Sequence, residues 1–162
     1  MKLEAYEQAL YSTLERMLKE KREEFVPGKT IIHYGWAIYD HNEIFGAIKS
    51  LLSGWLGVGK NTNEFEQQFA GFLKAKYCIL VNSGSSANLL AVESLRLPRG
   101  AEVITLATSF PTTLNPLIQK GLKPVFLDVN PATYNLDASE LRDAVSKETR
   151  LIMLLHTLGN PN

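Results

Sequence analysis

A short apolar run that leads through a glycine turn into a helical pattern restricts the possible folds more than any other feature. Residues 77–81 are apolar and β-prone, which predicts a buried strand. A polar turn with one glycine follows at 82–84, and residues 87–97 carry apolar side chains at helical spacing. The first turn of such a helix has unpaired N–H groups, and the hydroxyls of Ser85 and Ser86 stand beside them. The stretch predicts a phosphate site, although the same residues could form an ordinary helix cap.

The remainder of the chain repeats the order of strand and then helix. Pro111 suits the first position of a helix that Pro116 should shorten or kink, and Asp137 should cap another short helix. Alternation of this kind predicts an α/β domain with a largely parallel sheet and right-handed crossovers. Further strands are predicted at residues 102–106, 125–129 and 150–155.

Three polar loops should meet at one edge of this sheet. They cover residues 82–88, 107–113 and 156–162, and each is rich in small hydroxyl, amide or glycine residues. Ligands of open α/β sheets bind beyond the carboxyl ends of the strands. The three loops therefore predict a ligand-binding rim.

The first half of the chain reads as helical. Apolar spacing predicts an amphipathic helix over residues 3–24, and Asp40 with Glu43 predicts a capping box at the start of a second helix. A third helix should begin at Asn61. Its expected buried stripe is Phe65, Phe69, Phe72 and Leu73. Between the second and third helices, the glycine-rich residues 54–59 predict a loop pressed against core, partner or ligand.

Composition excludes several classes of protein. The chain has 162 residues, about one domain, with 17 basic and 17 acidic side chains, so no positive field invites nucleic acid or an anionic membrane. No apolar stretch approaches the length of about 20 residues that spans a bilayer, and no signal-peptide pattern is present. Cys78 is the single cysteine, so neither a disulfide framework nor a thiolate metal site is expected. These features predict a cytoplasmic protein.

Four blocks of residues together resemble the sugar aminotransferase/dehydrase family of the DegT/DnrJ/EryC1/StrS type, which has the aspartate aminotransferase-like fold of vitamin B6 enzymes. Two details resemble its dehydrase branch: Ser85-Ser86-Ala87-Asn88 in the second block, and residues 156–160 after the last predicted strand. The blocks are residues 54–66, 82–88, 103–116 and 121–129.

The resemblance implies roles for individual residues. Ser85 and Ser86 match the positions that hold the phosphate of pyridoxal 5′-phosphate or pyridoxamine 5′-phosphate, and Phe110 matches the aromatic residue that stacks on the pyridine ring. Asp128 is expected to fix the turn after its strand, and His156 is expected to be structural. The residues implied for the sugar-nucleotide side are Trp55, Thr112 and Asn115.

The resemblance also implies a longer protein. Residues 1–37 would be a helical arm and residues 38–162 the amino-terminal part of the cofactor-binding large domain. An aspartate for the pyridinium nitrogen, the Schiff-base lysine (a histidine in 3-dehydrases), in some members a [2Fe–2S] cluster, and a small domain would follow. The implied whole is a homodimer that removes the C3 oxygen of a CDP-4-keto-6-deoxyhexose for deoxysugar and O-antigen synthesis.

The implied truncation has physical consequences. In this fold the strand at 77–81 has neighbours that come later in the sequence, so here it should be left unpaired. We expect the chain alone to be inactive, to lack internal aldimine absorbance and to melt with poor cooperativity. A complementary carboxyl-terminal section is the expected partner.

Three alternative functions stay open. The first is a section of a sugar aminotransferase, which a lysine in place of the histidine would indicate. The second is a dinucleotide-dependent oxidoreductase, although residues 82–86 hold one glycine where that fingerprint has three. The third is a non-catalytic half of a split enzyme.

Overall fold

The computed structural model describes residues 2–21, 24–33, 35 and 37–162, and the chain divides into two units, Met1–Cys78 and Ile79–Asn162. None of the helices described is long and apolar enough to cross a membrane. The first unit contains α1 (Lys2–Lys21), α2 (His41–Leu52) and α3 (Lys60–Phe72). The second contains α4 (Gly84–Ser94), β1 (Glu102–Leu106), α5 (Pro111–Gln119), β2 (Lys123–Leu127), α6 (Ala138–Ala144), β3 (Thr149–Met153) and a 3₁₀ turn, Thr157–Gly159.

In the first unit, α1 packs against α2 through Tyr11. Its ring meets those of His41 and Phe45 edge-on, with centroids 4.7 and 5.3 Å apart, and its hydroxyl donates to Asn42 Oδ1 at 2.7 Å. The predicted capping box of α2 is confirmed, because Asp40 caps the helix and its own N–H donates to the side chain of Glu43. The predicted first helix is confirmed up to Lys21; residues 22–23 of its predicted span lie outside the described residues, and Glu24 is not helical.

The expected buried stripe of α3 is wrong for this chain. Phe65 and Phe69 stack with centroids 5.4 Å apart, but Phe65 is 45% exposed and Phe72 is 80% exposed. Ala70 is the buried residue of this helix, and α2 has none. An apolar stripe needs a second surface to cover it, and the described residues supply none for α3.

In the second unit, three parallel strands lie in the order β2-β1-β3, as the alternating pattern predicts. The central strand is buried from Val103 to Leu106. Strand β2 begins at Lys123, two residues before its predicted start, and so includes Pro124. Proline has no N–H to donate, but an edge strand tolerates it. The third strand begins at Thr149, one residue before its predicted start.

Helices α4 and α5 cover one face of β1. The core there contains Val92 of α4, Val103 of β1 and Leu117 of α5, and Leu151 and Met153 of β3 pack against it. Helix α5 has nine residues, which confirms the expected short helix. Helix α6, capped by Asp137 as predicted, packs against β2.

The predicted strand at 77–81 is wrong, because these residues form no ladder with any strand described. Tyr77 and Ile79 are both 75% exposed. Both sides of β1 are already taken by β2 and β3. A strand exists only where its backbone groups pair with a neighbouring strand, so the expectation that this segment would lack neighbouring strands is confirmed for the described residues.

Candidate functional site

The three polar loops meet at the carboxyl ends of the strands, as predicted. A cavity of about 470 Å³ opens there. Its walls come from α4, from the β1–α5 loop and from the chain that follows β3. The lining residues are Asn88, Thr108, Phe110, Thr113, Met153, Leu154, Leu155, His156 and Thr157.

The start of α4 leaves hydrogen-bond donors free. Ser83 is the N-cap: its Oγ accepts from the Ser86 N–H at 3.2 Å, and its carbonyl accepts the first helical bond, from Ala87 N at 3.1 Å. The N–H groups of Gly84 and Ser85 precede that bond and have no carbonyl partner in the helix. Ser85 is exposed, and its hydroxyl has no hydrogen bond within the described residues. Two amides and one hydroxyl at a helix N-terminus suit a phosphate group.

Ser86 is less available than Ser85. Its hydroxyl donates to Asn82 Oδ1 at 2.7 Å, and the Ser83 and Ser86 hydroxyl oxygens lie 3.2 Å apart. A hydroxyl has a single proton, so Ser86 would have to release Asn82 before it could donate to a phosphate. Of the two serines, Ser85 is the better placed donor.

Phe110 presents a flat apolar face. It is the N-cap residue of α5, lines the cavity and is 69% exposed. No neighbouring ring occupies its face among the ring contacts of the described residues. An exposed ring at the mouth of a cavity can stack on a planar ligand.

The side-chain amide of Asn88 links α4 to α5 at this rim. Pro116 lies inside α5 and has no N–H, so the carbonyl of Thr112, four residues earlier, lacks its usual helical donor. The side chain of Asn88 donates to that carbonyl, with Nδ2 and O 3.3 Å apart. The bond links the helix that carries Ser85 to the turn that carries Phe110.

His156 lines the cavity but also has a structural partner. Its Nδ1 accepts from the N–H of Asn162 at 3.0 Å, so in the neutral ring the proton is on Nε2. The side chain of Asn162 donates to the Leu155 carbonyl and accepts from Leu136 N at 2.7 Å. These bonds agree with the expected structural role. Asp128 also behaves as expected, because its Oδ1 accepts from Val129 N at 2.8 Å within the turn.

The residues implied for the sugar-nucleotide side are divided between the two units of the chain. Trp55 belongs to the first unit, whereas Thr112 and Asn115 belong to the second. Neither Thr112 nor Asn115 lines the cavity of the rim. Their roles stay predictions.

Sequence reasoning did not select several residues that line the cavity. Asn88 could have been found, because it follows Ser85 by three positions and so lies on the same helical face. Thr108, Thr113 and Thr157 lie within the loops predicted to form the rim, but nothing in their spacing distinguishes them from neighbouring hydroxyls.

No carboxylate with a shifted pKa lines the cavity of the rim. Glu102, at the start of β1, accepts hydrogen bonds from Lys123 Nζ at 2.8 Å and from the Ser146 hydroxyl at 2.5 Å. Both bonds favour its charged form, so they lower the pKa of Glu102, and the same contact raises the pKa of Lys123. No acidic side chain lines the cavity. The described lining of the rim offers hydroxyl and amide groups and a flat ring, and it includes no carboxylate.

These features find their counterpart in one family. The model of the DegT/DnrJ/EryC1/StrS aminotransferase family matches residues 38–162. The chain belongs to this family. Its fold is accordingly the α/β fold of the pyridoxal phosphate-dependent aminotransferases, represented by part of the large domain.

Two relatives illustrate the range within the family. A dTDP-4-dehydro-2,6-dideoxy-D-glucose 3-dehydratase of Saccharopolyspora spinosa is 42% identical, across 98% of this chain and 36% of the relative. The lipopolysaccharide biosynthesis protein RfbH of Salmonella typhimurium is 41% identical, across 84% of this chain and 33% of the relative. This chain thus spans about a third of the length of the curated relatives that it matches.

A solved structure agrees with this assignment. The GDP-4-keto-6-deoxy-D-mannose 3-dehydratase of E. coli with bound hydrated PLP is 37% identical, with a TM-score of 0.74. The match covers 78% of this chain and 34% of that one. The described residues of this chain contain no cluster of side chains suited to a metal ion. The [2Fe–2S] cluster that the resemblance implies is expected in the carboxyl-terminal section, beyond the residues of this chain.

Proposed function

We propose that this chain is the amino-terminal, cofactor-binding part of a nucleotide-sugar 3-dehydrase that acts on a CDP-4-keto-6-deoxyhexose in deoxysugar and O-antigen synthesis. The proposal is supported chiefly by one observation: free donors at the start of α4 and an exposed aromatic ring at the same rim are joined through the Asn88–Thr112 hydrogen bond. The relatives' names refer to dTDP and GDP sugars, so the nucleotide is the part that binding measurements must decide.

Each residue has a defined task in this proposal. The amides of Gly84 and Ser85 and the Ser85 hydroxyl bind the phosphate of pyridoxal or pyridoxamine 5′-phosphate, and Ser86 joins them once it releases Asn82. Phe110 covers one face of the pyridine ring and excludes water from it. When bound, the cofactor supplies the electron sink that C3 deoxygenation requires. Thr112 and Asn115 are proposed to face the nucleotide sugar.

Catalysis would also need residues that this chain does not contribute. We propose that they come from a carboxyl-terminal section, in a homodimer of the complete enzyme, and that a [2Fe–2S] cluster belongs to that section if one is used. On this view residues 1–37 form the helical arm and 38–162 the start of the large domain. The cavity lining favours this division of labour, because it holds no carboxylate, lysine or cysteine.

A nucleotide-sugar aminotransferase is the second candidate. It is favoured by the family itself, which takes its description from aminotransferases. The two functions would use the same phosphate cradle and the same stacking ring. The residue at the Schiff-base position of the proposed carboxyl-terminal section distinguishes them, since we expect a histidine there for the 3-dehydrase, whereas a lysine would indicate the aminotransferase.

Titration of the chain with pyridoxamine 5′-phosphate, followed by amide chemical shifts, tests the cofactor site. We expect Ser85→Ala to weaken binding by about tenfold, because a hydrogen bond to a charged group is lost. Ser94→Ala is the matched control, since Ser94 ends the same helix and its hydroxyl donates to the Ala91 carbonyl. Phe110→Leu should weaken pyridoxamine 5′-phosphate but leave inorganic phosphate unchanged. Equal binding by Ser85→Ala and the unmodified chain would reject the proposed cradle.

A further inference from the structure

A cavity of the second unit lies at the amino ends of the strands, on the edge of the sheet opposite the polar rim. Its volume is about 300 Å³, at the lower end of the range for small-molecule sites. The ends of α4 and α5 and the turns that lead into β1 and β2 form its walls. Helix α4 has 11 residues, so this cavity lies about 16 Å from the start of that helix, where the cofactor phosphate is proposed to bind.

The lining of this cavity contains more positive than negative charge. Arg96, Arg99 and Lys120 line it together with one carboxylate, that of Glu93. Lys120 forms an ion pair with Glu93, which links the end of α5 to the end of α4. The guanidinium groups of Arg96 and Arg99 have no hydrogen bond or ion pair to any residue that the structure describes. Two of the three cations are therefore left without a counterion.

The guanidinium of Arg99 rests against the backbone of Gly121. A Cβ on Gly121 would lie 2.8 Å from Cζ of Arg99 and 2.9 and 3.1 Å from its two terminal nitrogens. These nearly equal distances place the Cβ position over the face of the guanidinium, so a larger residue there would displace the group. Since the N–H donors of a guanidinium lie in its plane, contact with its face leaves them available for a ligand.

Support of the helix ends does not account for the two arginines. Basic side chains near the end of a helix can bond its last carbonyls or offset its dipole. The carbonyls at the end of α4 already accept from the Ser94 hydroxyl and from the N–H groups of Leu95 and Arg96. Those at the end of α5 accept from the N–H groups of Gly121 and Leu122. The two helix dipoles contribute about half a negative charge each, which reduces the positive surplus of the cavity without removing it.

We infer that this cavity binds a small phosphate monoester, with the phosphate group held by Arg96 and Arg99. A guanidinium presents two parallel donors to one oxyanion, and two unpaired guanidinium groups match the roughly two negative charges of a phosphate monoester. The side-chain amide of Gln119, which has no partner among the described residues, adds donors to the same lining. The buried side chains of Val92 and Leu122 supply an apolar surface for the organic part of the ligand. This inference does not depend on the proposed function.

Titration of the unmodified 162-residue chain with glycerol 3-phosphate at constant ionic strength, followed by amide chemical shifts, tests this inference. We expect saturable shifts of the Gly100 and Gly121 amides, which flank the Arg99 guanidinium. Glycerol lacks the phosphate group and should not bind, and acetate, with one charge, should bind at least tenfold more weakly. Succinate carries two carboxylates, and tighter binding of succinate than of glycerol 3-phosphate would overturn the assignment to a phosphate.

Variants separate a role in binding from a role in folding. Arg99→Gln should weaken glycerol 3-phosphate by about tenfold or more, because charged hydrogen bonds are lost. Arg96 follows α4 with a φ of +48°, a conformation that favours glycine. Arg96→Gly should therefore weaken binding to a similar extent without lowering the midpoint of thermal unfolding. Arg142→Gln is the matched control, since Arg142 lies in the last turn of α6 in the same unit but does not line the cavity.

The position of the shifted amides distinguishes this site from the cofactor site. Pyridoxamine 5′-phosphate is itself a phosphate monoester, so both sites are read separately, at Gly84 and Ser85 for the cofactor and at Gly100 and Gly121 here. Ser85→Ala should leave the Gly100 and Gly121 shifts unchanged, so the proposed cofactor site can fail while this inference is supported. Absence of saturable shifts at Gly100 and Gly121 overturns the inference. Affinity that is unchanged in both arginine variants, or that falls equally in Arg142→Gln, also overturns it.

Discussion

Strand β1 and the helices α2 and α3 all carry large apolar side chains, but these side chains differ in burial. Val103 and Leu106 in β1 are 0% exposed, whereas Leu52 in α2 is 74% exposed and Phe72 in α3 is 80% exposed. The strand has β2 and β3 on its two sides, with α4 and α5 over one face. The two helices of the first unit have no equivalent cover among the described residues. An apolar pattern therefore states which face needs burial, but neighbours decide whether burial occurs.

The largest expected effect comes from truncating the core of the second unit. Leu117→Ala should lower the free energy of unfolding of that unit by about 2–5 kcal/mol, because Leu117 is fully buried against β1. The comparison variant Phe72→Ala should change the free energy of unfolding of its own unit by less than about 0.5 kcal/mol, since its ring is exposed. Hydrogen exchange of the β1 amides measures the cost of Leu117→Ala, and exchange of the α3 amides measures that of Phe72→Ala. Similar costs for the two variants would show that the burial contrast does not hold in solution.

A smaller effect is expected from removing the cap of α2. Asp40 accepts from Asn42 N at 2.7 Å and takes part in the capping box with Glu43. Asp40→Ala should destabilise this helix by about 1 kcal/mol, measured as faster amide exchange in α2. Asp40→Asn, which can still accept, should lose much less. Exchange within β1 should not change in either variant; a change there would mean that the two units unfold together.

The hydrogen bond between Asn88 of α4 and the Thr112 carbonyl of α5 should contribute slightly less to the free energy of unfolding. Asn88→Ala leaves the Thr112 carbonyl without its donor and should cost about 0.5–1.5 kcal/mol in the second unit, by urea unfolding. In a Pro116→Ala background the cost should shrink, because the restored N–H can bond to that carbonyl. Asn115→Ala, an exposed amide of α5, is the control. Equal costs of Asn88→Ala in both backgrounds would contradict the explanation based on the missing proline N–H.

Acidification should give the smallest effect and should reach both units. The backbone N–H of Asn42 holds the pKa of Asp40 below its ordinary value, and Lys123 does the same for the pKa of Glu102. A carboxyl whose pKa is lower in the folded state stabilises that state above its unfolded pKa, and this stability is lost as pH falls through the folded pKa. The loss is therefore expected below about pH 4.

Helix content and β1 amide exchange, followed as pH is lowered, measure these two contributions. Asp40→Asn should flatten the pH dependence of α2 alone, and Glu102→Gln that of β1 alone. If both pH dependences came only from interactions between exposed surface charges, high salt would instead remove them in the unmodified chain.

Much of the local structure could be predicted from short-range patterns. The Asp40–Glu43 capping box, the cap at Asp137 and the short α5, which begins at Pro111 and contains Pro116, were all predicted from residues a few positions apart, and all are confirmed. The rim could be predicted as well, because parallel strands place successive loops on one edge. The start of β2 could not be predicted in the same way. An edge strand tolerates Pro124, but the sequence does not show which strand lies at the edge of the sheet.

The amino-acid sequence by itself determined the order of the helices and of β1, β2 and β3, their caps, and the turn that leaves free donors at Gly84 and Ser85, because each depends on bonds between near neighbours. Tertiary structure alone decided that the stripe of α3 stays exposed and that Asn88 meets the Thr112 carbonyl. These last features join groups far apart in the chain or need a covering surface. Such partners are fixed only when the whole chain is arranged in space.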